Sequence, residues 1–116
     1  VLMHCVSSYP CHFEKLNFPK LEKLRKFTKN IGYSGHHSTI DDAILAISKG
    51  ASIVEKHFTI NPKLKGRDNK FAITPIMLTR LVDYRDNFYN MMKPKGLNVQ
   101  GCEMDIFKNY RGRWSK

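Results

Sequence analysis

The sequence is short of cysteine, tryptophan and acidic residues. Its 116 residues hold three Cys and one Trp, and 10 Asp and Glu face 20 Lys and Arg, for a formal charge of +10. Three thiols (Cys5, Cys11, Cys102) cannot all pair within one chain, which argues against a disulfide-stapled secreted scaffold and for reduced thiols in a cytoplasm. No window holds the roughly 20 consecutive apolar residues of a membrane-spanning helix, so no membrane span is expected. The opening VLMHCVSSYP has no basic segment and its apolar run is short, so no signal peptide is read there. An apolar fraction of 41% excludes wholesale disorder. A chain of this length buries roughly two thirds of its unfolded surface, enough for one core. The first residue is Val, inside an expected strand, so the sequence reads as a piece of a longer protein.

What is present alternates in period. VLMHC reads as a fully buried strand that closes at Tyr9 and Pro10. From Phe18 to Lys29, Leu21, Leu24 and Phe27 repeat every third residue among charges, which predicts a helix with a narrow apolar stripe, Pro19 in its first turn and Asn30 as its C-cap. IGYSG is a second strand. Ser38 or Thr39 is the expected cap of a second helix with Asp41 and Asp42 in its first turn, apolar positions Ala43, Ile44, Ile47 and Ala51, and a stop at Gly50. ASIVEKHFT is the third strand, and NPKLKGRDNK a basic, turn-rich loop. Thr74 caps a long helix that opens with Pro75 and carries Leu78, Leu81, Val82, Phe88 and Met92 on one side.

Strand and helix alternate three times, which predicts an α/β fold of parallel strands joined by right-handed crossovers. Parallel strands need cover on both faces, and three alone make a poor domain. The pattern fits about three βα units of a (β/α)8 TIM barrel, whose full length is about 250 residues. Residues 1–93 form this partial barrel and residues 94–116 an irregular basic tail. The charge is uneven: up to Ile60 there are 8 basic and 5 acidic residues (+3), and beyond it 12 and 5 (+7). Aromatics interleaved in KNYRGRWSK admit a nucleic-acid or partner-binding module as an alternative, although no RNA-binding motif is present.

In parallel α/β proteins reactive groups gather at the carboxyl ends of strands. Those ends carry Ser7, Ser8 and Tyr9; then Ser34, Gly35, His36 and His37; then Glu55, His57, Phe58 and Thr59, with Gly66, Arg67 and Asp68 in the loop that follows. His36 and His57 lie one βα unit apart, so a barrel sets them side by side, able to share a divalent metal, with His37 as the competing ligand. Ser34, ahead of a helix, can face a phosphate, and equally can serve a tight turn. His4, Cys5, Cys11 and His12 lack zinc-ligand spacing, and His4 and Cys5 are expected to line the barrel interior. A Schiff-base aldolase, another barrel enzyme for phosphorylated sugars, needs a strand-end Lys. Lys56 is the candidate, and alternation turns it away from the interior if Glu55 and His57 point inward.

Taken together, HCVSSYP, IGYSGHH, IVEKHFT, KGRD and the Thr74–Pro75 helix start resemble the sialic acid synthase family, which includes synthases of neuraminic, pseudaminic, legionaminic and spore-coat sugars. The likeness runs from Val1 to about Met92 and implies the sixth to eighth units of that family's barrel. It implies a reaction of phosphoenolpyruvate with an N-acyl hexosamine such as N-acetylmannosamine. His36 and His57 would hold a divalent ion, commonly Mn2+ with Mg2+ as the alternative. Ser34 would contact the phosphate of phosphoenolpyruvate, and Ser7, Tyr9, Glu55 and Asp68 would surround the acceptor, with Glu55 orienting it or steering a proton. It also implies a cytoplasmic homodimer for the intact protein, and an inert 116-residue piece. Two departures stand out: Gly35 and His37 replace the Asp and Thr of the family's usual SDHT, and Arg67 interrupts its GPD loop.

Overall fold

A computed structural model gives the fold of residues 1–112; the last four residues of the basic tail lie outside the described residues. Three strands, β1 (Leu2–Cys5), β2 (Ile31–Gly35) and β3 (Ile53–Lys56), form one parallel sheet in chain order. Leu2 lies opposite Ile31, Cys5 opposite Ser34, and Ser34 opposite Glu55. Between the strands run α1 (Pro19–Leu24) and α2 (Asp41–Ser48), and α3 (Pro75–Met91) follows β3. This is the parallel α/β arrangement expected.

Strand alternation gives the sheet two chemically different faces. Tyr33 packs on the helix side with Ala46, Ala51, Phe18 and Val54, and His4 joins it, its ring 5.9 Å from that of Tyr33. A second apolar cluster of Ala43, Ile47 and Leu81 joins α2 to α3. Cys5, Ser34, Glu55 and, past the strand ends, His36 and His57 belong to the other face. His4 therefore does not line the interior with Cys5. Neighbours on a strand point opposite ways, and His4 is buried, its Nε2–H donating to the Leu16 carbonyl at 2.7 Å.

Other expectations are corrected. β1 is not fully buried: Leu2 and Met3 are exposed, because nothing within the described residues covers the far face or the outer edge. α1 stops at Leu24 rather than running to Lys29; Leu21 is buried, while Phe27 is 78% exposed. α2 starts one or two residues later than predicted, with Ile40 as N-cap and no side-chain capping bond. Gly50, at φ +76°, ends that segment as foreseen. Thr74 does cap α3, accepting from the Met77 N–H, but of the predicted stripe only Leu81 is buried. The basic tail is not wholly irregular, since Met104–Asn109 forms a short helix, α4; yet every residue from 91 to 112 is exposed. Between the basic loop and Thr74, where no element is expected, Phe71, Ala72 and Ile73 are all buried, and Ile73 bridges to Phe58 in parallel.

Candidate functional site

The interior face ends in two imidazoles. The rings of His36 and His57 lie 5.3 Å apart, centre to centre. Each is set by its backbone. His36 follows β2 directly, its carbonyl accepting from the Cys11 N–H at 2.9 Å; the His57 carbonyl accepts from Ile73 N–H at 2.8 Å. The Nδ1 of His36 lies 3.0 Å from the Val6 carbonyl, which can only accept, so Nδ1 carries the proton and Nε2 keeps its lone pair. That is the tautomer a metal ligand needs, with the outer nitrogen held by a backbone oxygen. His57 has no such bond: its Nδ1 is 3.6 Å from Asp68 Oδ2, near enough for electrostatic attraction but beyond a hydrogen bond.

Tyr9 closes over the pair, its ring 4.3 Å from His36 and 5.9 Å from His57. The Tyr9–Pro10 bond is cis. Phe71 packs beside Tyr9, its ring 5.5 Å from that of Tyr9 and 5.1 Å from that of His57. His36 is buried under this cover, whereas the His57 side chain is 34% exposed. His57, Tyr9, Arg67 and Asp68 line an open cleft of about 240 Å³. A larger-walled apolar groove between α2 and α3, lined by Ile47, Leu78 and Leu81 among others, lies away from these polar groups.

Ser34 and Glu55, opposite each other in the sheet, form a second pair. The Ser34 hydroxyl donates to Glu55 Oε1 at 2.6 Å. With its one proton so used, Ser34 faces any further ligand as an acceptor unless that bond opens. Ser7 stands apart, 3.8 Å from Cys5 Sγ. His37 is turned away from His36: its ring stacks on Phe13 at 3.9 Å, and its Nδ1 accepts from the Thr39 N–H, which leaves it outside the imidazole pair. His4, Cys11 and His12 do not converge with Cys5. Among the described residues no three His, Cys, Asp or Glu side chains form a metal-binding group.

Cys5, expected on the interior face, reaches within 4.0 Å of His36 Nδ1. Sequence reasoning missed two members. Phe71 had the apolar FAIT segment as its signal. The other is a buried network with no local signal. Lys56 Nζ donates to both oxygens of Asp42 at 3.0 Å and to the His37 carbonyl at 2.6 Å, and Tyr33 Oη donates to Asp42 Oδ2. Burial pushes the Lys56 ammonium below its usual value, opposed by the Asp42 charge; burial likewise pushes the Tyr33 phenol up. Lys56 thus points into the helix layer, as alternation predicted. The departure at Gly35 also finds its reason: a Cβ there would collide with Asp42 Oδ2 and come within 2.6 Å of Tyr33 Cε1.

Parallel βα units with titratable side chains meeting at the strand ends define an α/β protein of the kind that binds its ligands at that end of the sheet. Within that class the chain belongs to the NeuB family, which it matches over residues 1–96. It is 35% identical over 81 residues to the N,N'-diacetyllegionaminic acid synthase of Campylobacter jejuni, covering 69% of this chain and 24% of that enzyme. It is 39% identical over 89 residues to the N-acetylneuraminate-9-phosphate synthase of Drosophila melanogaster, covering 75% of this chain and 24% of that protein. The solved N-acetylneuraminic acid synthetase of Leptospira borgpetersenii serovar Hardjo-bovis, in complex with citrate, superposes with a TM-score of 0.77 at 32% identity, over 99% of this chain and 40% of that one. The chain thus spans about a quarter of the length of the curated relatives it matches. No described helix is long and apolar enough to cross a membrane.

Proposed function

We propose that these residues are the sixth to eighth units of a (β/α)8 synthase. The intact protein would condense phosphoenolpyruvate with the open-chain aldehyde of an N-acyl hexosamine, giving a nonulosonic acid and inorganic phosphate. The observation that carries the reading is the pair of imidazoles 5.3 Å apart beside the Ser34–Glu55 bond and an open cleft. Family membership supports the sugar-acid class.

His36 and His57 would hold a divalent ion, Mn2+ or Mg2+, the Nε2 of His36 being left free by the bond of its Nδ1 to the Val6 carbonyl and Asp68 lying 3.6 Å from His57. Such an ion supplies Lewis acidity toward an aldehyde oxygen. Water, substrate or groups beyond the described residues complete its coordination. Carbon 3 of the enol attacks the aldehyde carbon, positive charge develops at carbon 2, water adds there and phosphate leaves with its ester oxygen. The added water gives up two protons: one is taken by the departing phosphate, leaving a carbonyl at carbon 2, and the other reaches the aldehyde oxygen. Glu55, with Oε1 held by Ser34, orients the acceptor and offers Oε2 to that proton. Ser34 borders the phosphate, Ser7 and Tyr9 line the acceptor side, and Asp68 and Arg67 close the cleft. Burial of His36 under Tyr9 keeps water from one flank of the pair. The setting is a cytoplasmic homodimer.

The test is phosphate release by the full-length protein given phosphoenolpyruvate, N-acetylmannosamine and Mn2+. Activity should vanish with chelator, and His36→Ala and His57→Ala should each abolish metal-dependent turnover. Near-normal rates in either variant would remove that ligand, and release without any acceptor sugar would remove the condensation.

A further inference from the structure

We infer that the buried Lys56–Asp42 pair is a positioning clamp that sets the spacing of the His36 and His57 rings; this rests on the imidazole pair being a metal site. The two side chains come from β3 and the first turn of α2, with 4% and 0% of their surfaces exposed. Lys56 sits between Glu55 and His57 on β3, opposite Gly35 in the register. Its ammonium grips the carbonyl of His37, the residue after His36. One rigid side chain therefore ties the backbone that carries the first imidazole to the strand that carries the second. Gly35 lets the clamp close, because the space a side chain would need is filled by Asp42 and Tyr33.

Stability alone is a weak reason for such a pair. Buried ion pairs are often matched or bettered by apolar residues of similar volume, because two charges must be stripped of water. What apolar residues cannot supply is a donor to the His37 carbonyl. Without it the segment 35–37 keeps the Cys11 and Val6 bonds to His36 but loses its side-chain tie to β3, and ligand spacing shifts with it. Partners of this kind behind metal ligands typically govern affinity by about 10- to 100-fold.

The experiment uses the full-length protein, comparing Lys56→Met, Lys56→Arg and the double variant Asp42→Leu/Lys56→Met. Mn2+ affinity is measured without substrates by calorimetry and electron paramagnetic resonance, and melting temperature in parallel. Lys56→Met should lower both. The double variant, which leaves the Tyr33 hydroxyl without its acceptor, should recover part of the melting temperature lost in Lys56→Met yet bind Mn2+ at least about tenfold more weakly than the parent. Recovery of Mn2+ affinity together with melting temperature would overturn the clamp and leave a merely structural pair. If the double variant does not fold, Lys56→Arg decides: a broader cation that keeps the charge should fold with weakened Mn2+ binding, and unchanged binding overturns the proposal. A parent protein that binds no Mn2+, or binds it equally well as His36→Ala, would instead sink the metal reading, and the clamp with it.

Discussion

At Gly35 three side chains compete for one space. Replacing it by Ala puts a methyl group against the Asp42 carboxylate and the Tyr33 ring; Asp42 cannot withdraw without breaking its bonds to Lys56, nor Tyr33 without straining its bond to Asp42. Gly35→Ala is expected to cost about 1–3 kcal/mol, the range for overpacking a filled core, read from the denaturation midpoint of the full-length protein. A neutral result would mean that Asp42 has another resting place. The same position shows how far single residues were legible. His36 and His57 were readable because strand ends and period-two alternation are local rules. The Lys56–Asp42 contact was not: it joins residues 14 apart on different elements, and nothing in either neighbourhood signals the other. His4 was misplaced for the opposite reason, since a local rule was available and adjacent residues cannot share a strand face.

Elements are stabilised by what they bury, and α1 and α3 are alike in that respect. Their stripes look alike in sequence, with Leu21, Leu24 and Phe27 in one and Leu78, Leu81, Val82 in the other. Each delivers one fully buried anchor, Leu21 and Leu81, and leaves the flanks half or fully exposed. Leu81→Ala, in the cluster with Ala43 and Ile47, is expected to cost about 3 kcal/mol. Phe27→Ala should change stability by no more than about 0.5 kcal/mol. Equal losses in the two variants, measured by chemical denaturation, would show that Phe27 packs against something outside the described residues. Element order, type and parallel pairing were legible, because periodicity and caps such as Thr74–Pro75 are written locally. Element ends were less so. α1 ends early because a helix holds only as far as its apolar face finds cover, and the cover runs out after Leu24.

At the scale of the molecule, the surface is too large for the mass. A monomer of 13.5 kDa would expose about 6,500 Å², whereas this chain exposes 8889 Å². The radius of gyration is 19.7 Å where a compact domain of this length has about 13 Å. Part of the excess is the uncovered tail. The rest lies on the sheet, where Met3 and Ile53 are exposed and neither outer strand has a partner among the described residues. Such edges and faces are surfaces that ordinarily meet other strands. The chemistry has the same shortfall: two imidazoles, one carboxylate–hydroxyl pair and a half-open cleft would leave the proposed phosphoester and sugar in contact with water. The 116 residues alone are therefore expected to self-associate, eluting earlier than a 13.5 kDa globule in size-exclusion chromatography, and to release no phosphate from phosphoenolpyruvate. Turnover by this piece, dependent on Mn2+ and an N-acyl hexosamine, would mean that three strand ends suffice to orient both reactants. The barrel reading would then lose its main physical reason, which is that groups from several strands must close around the substrates before alignment lowers the barrier.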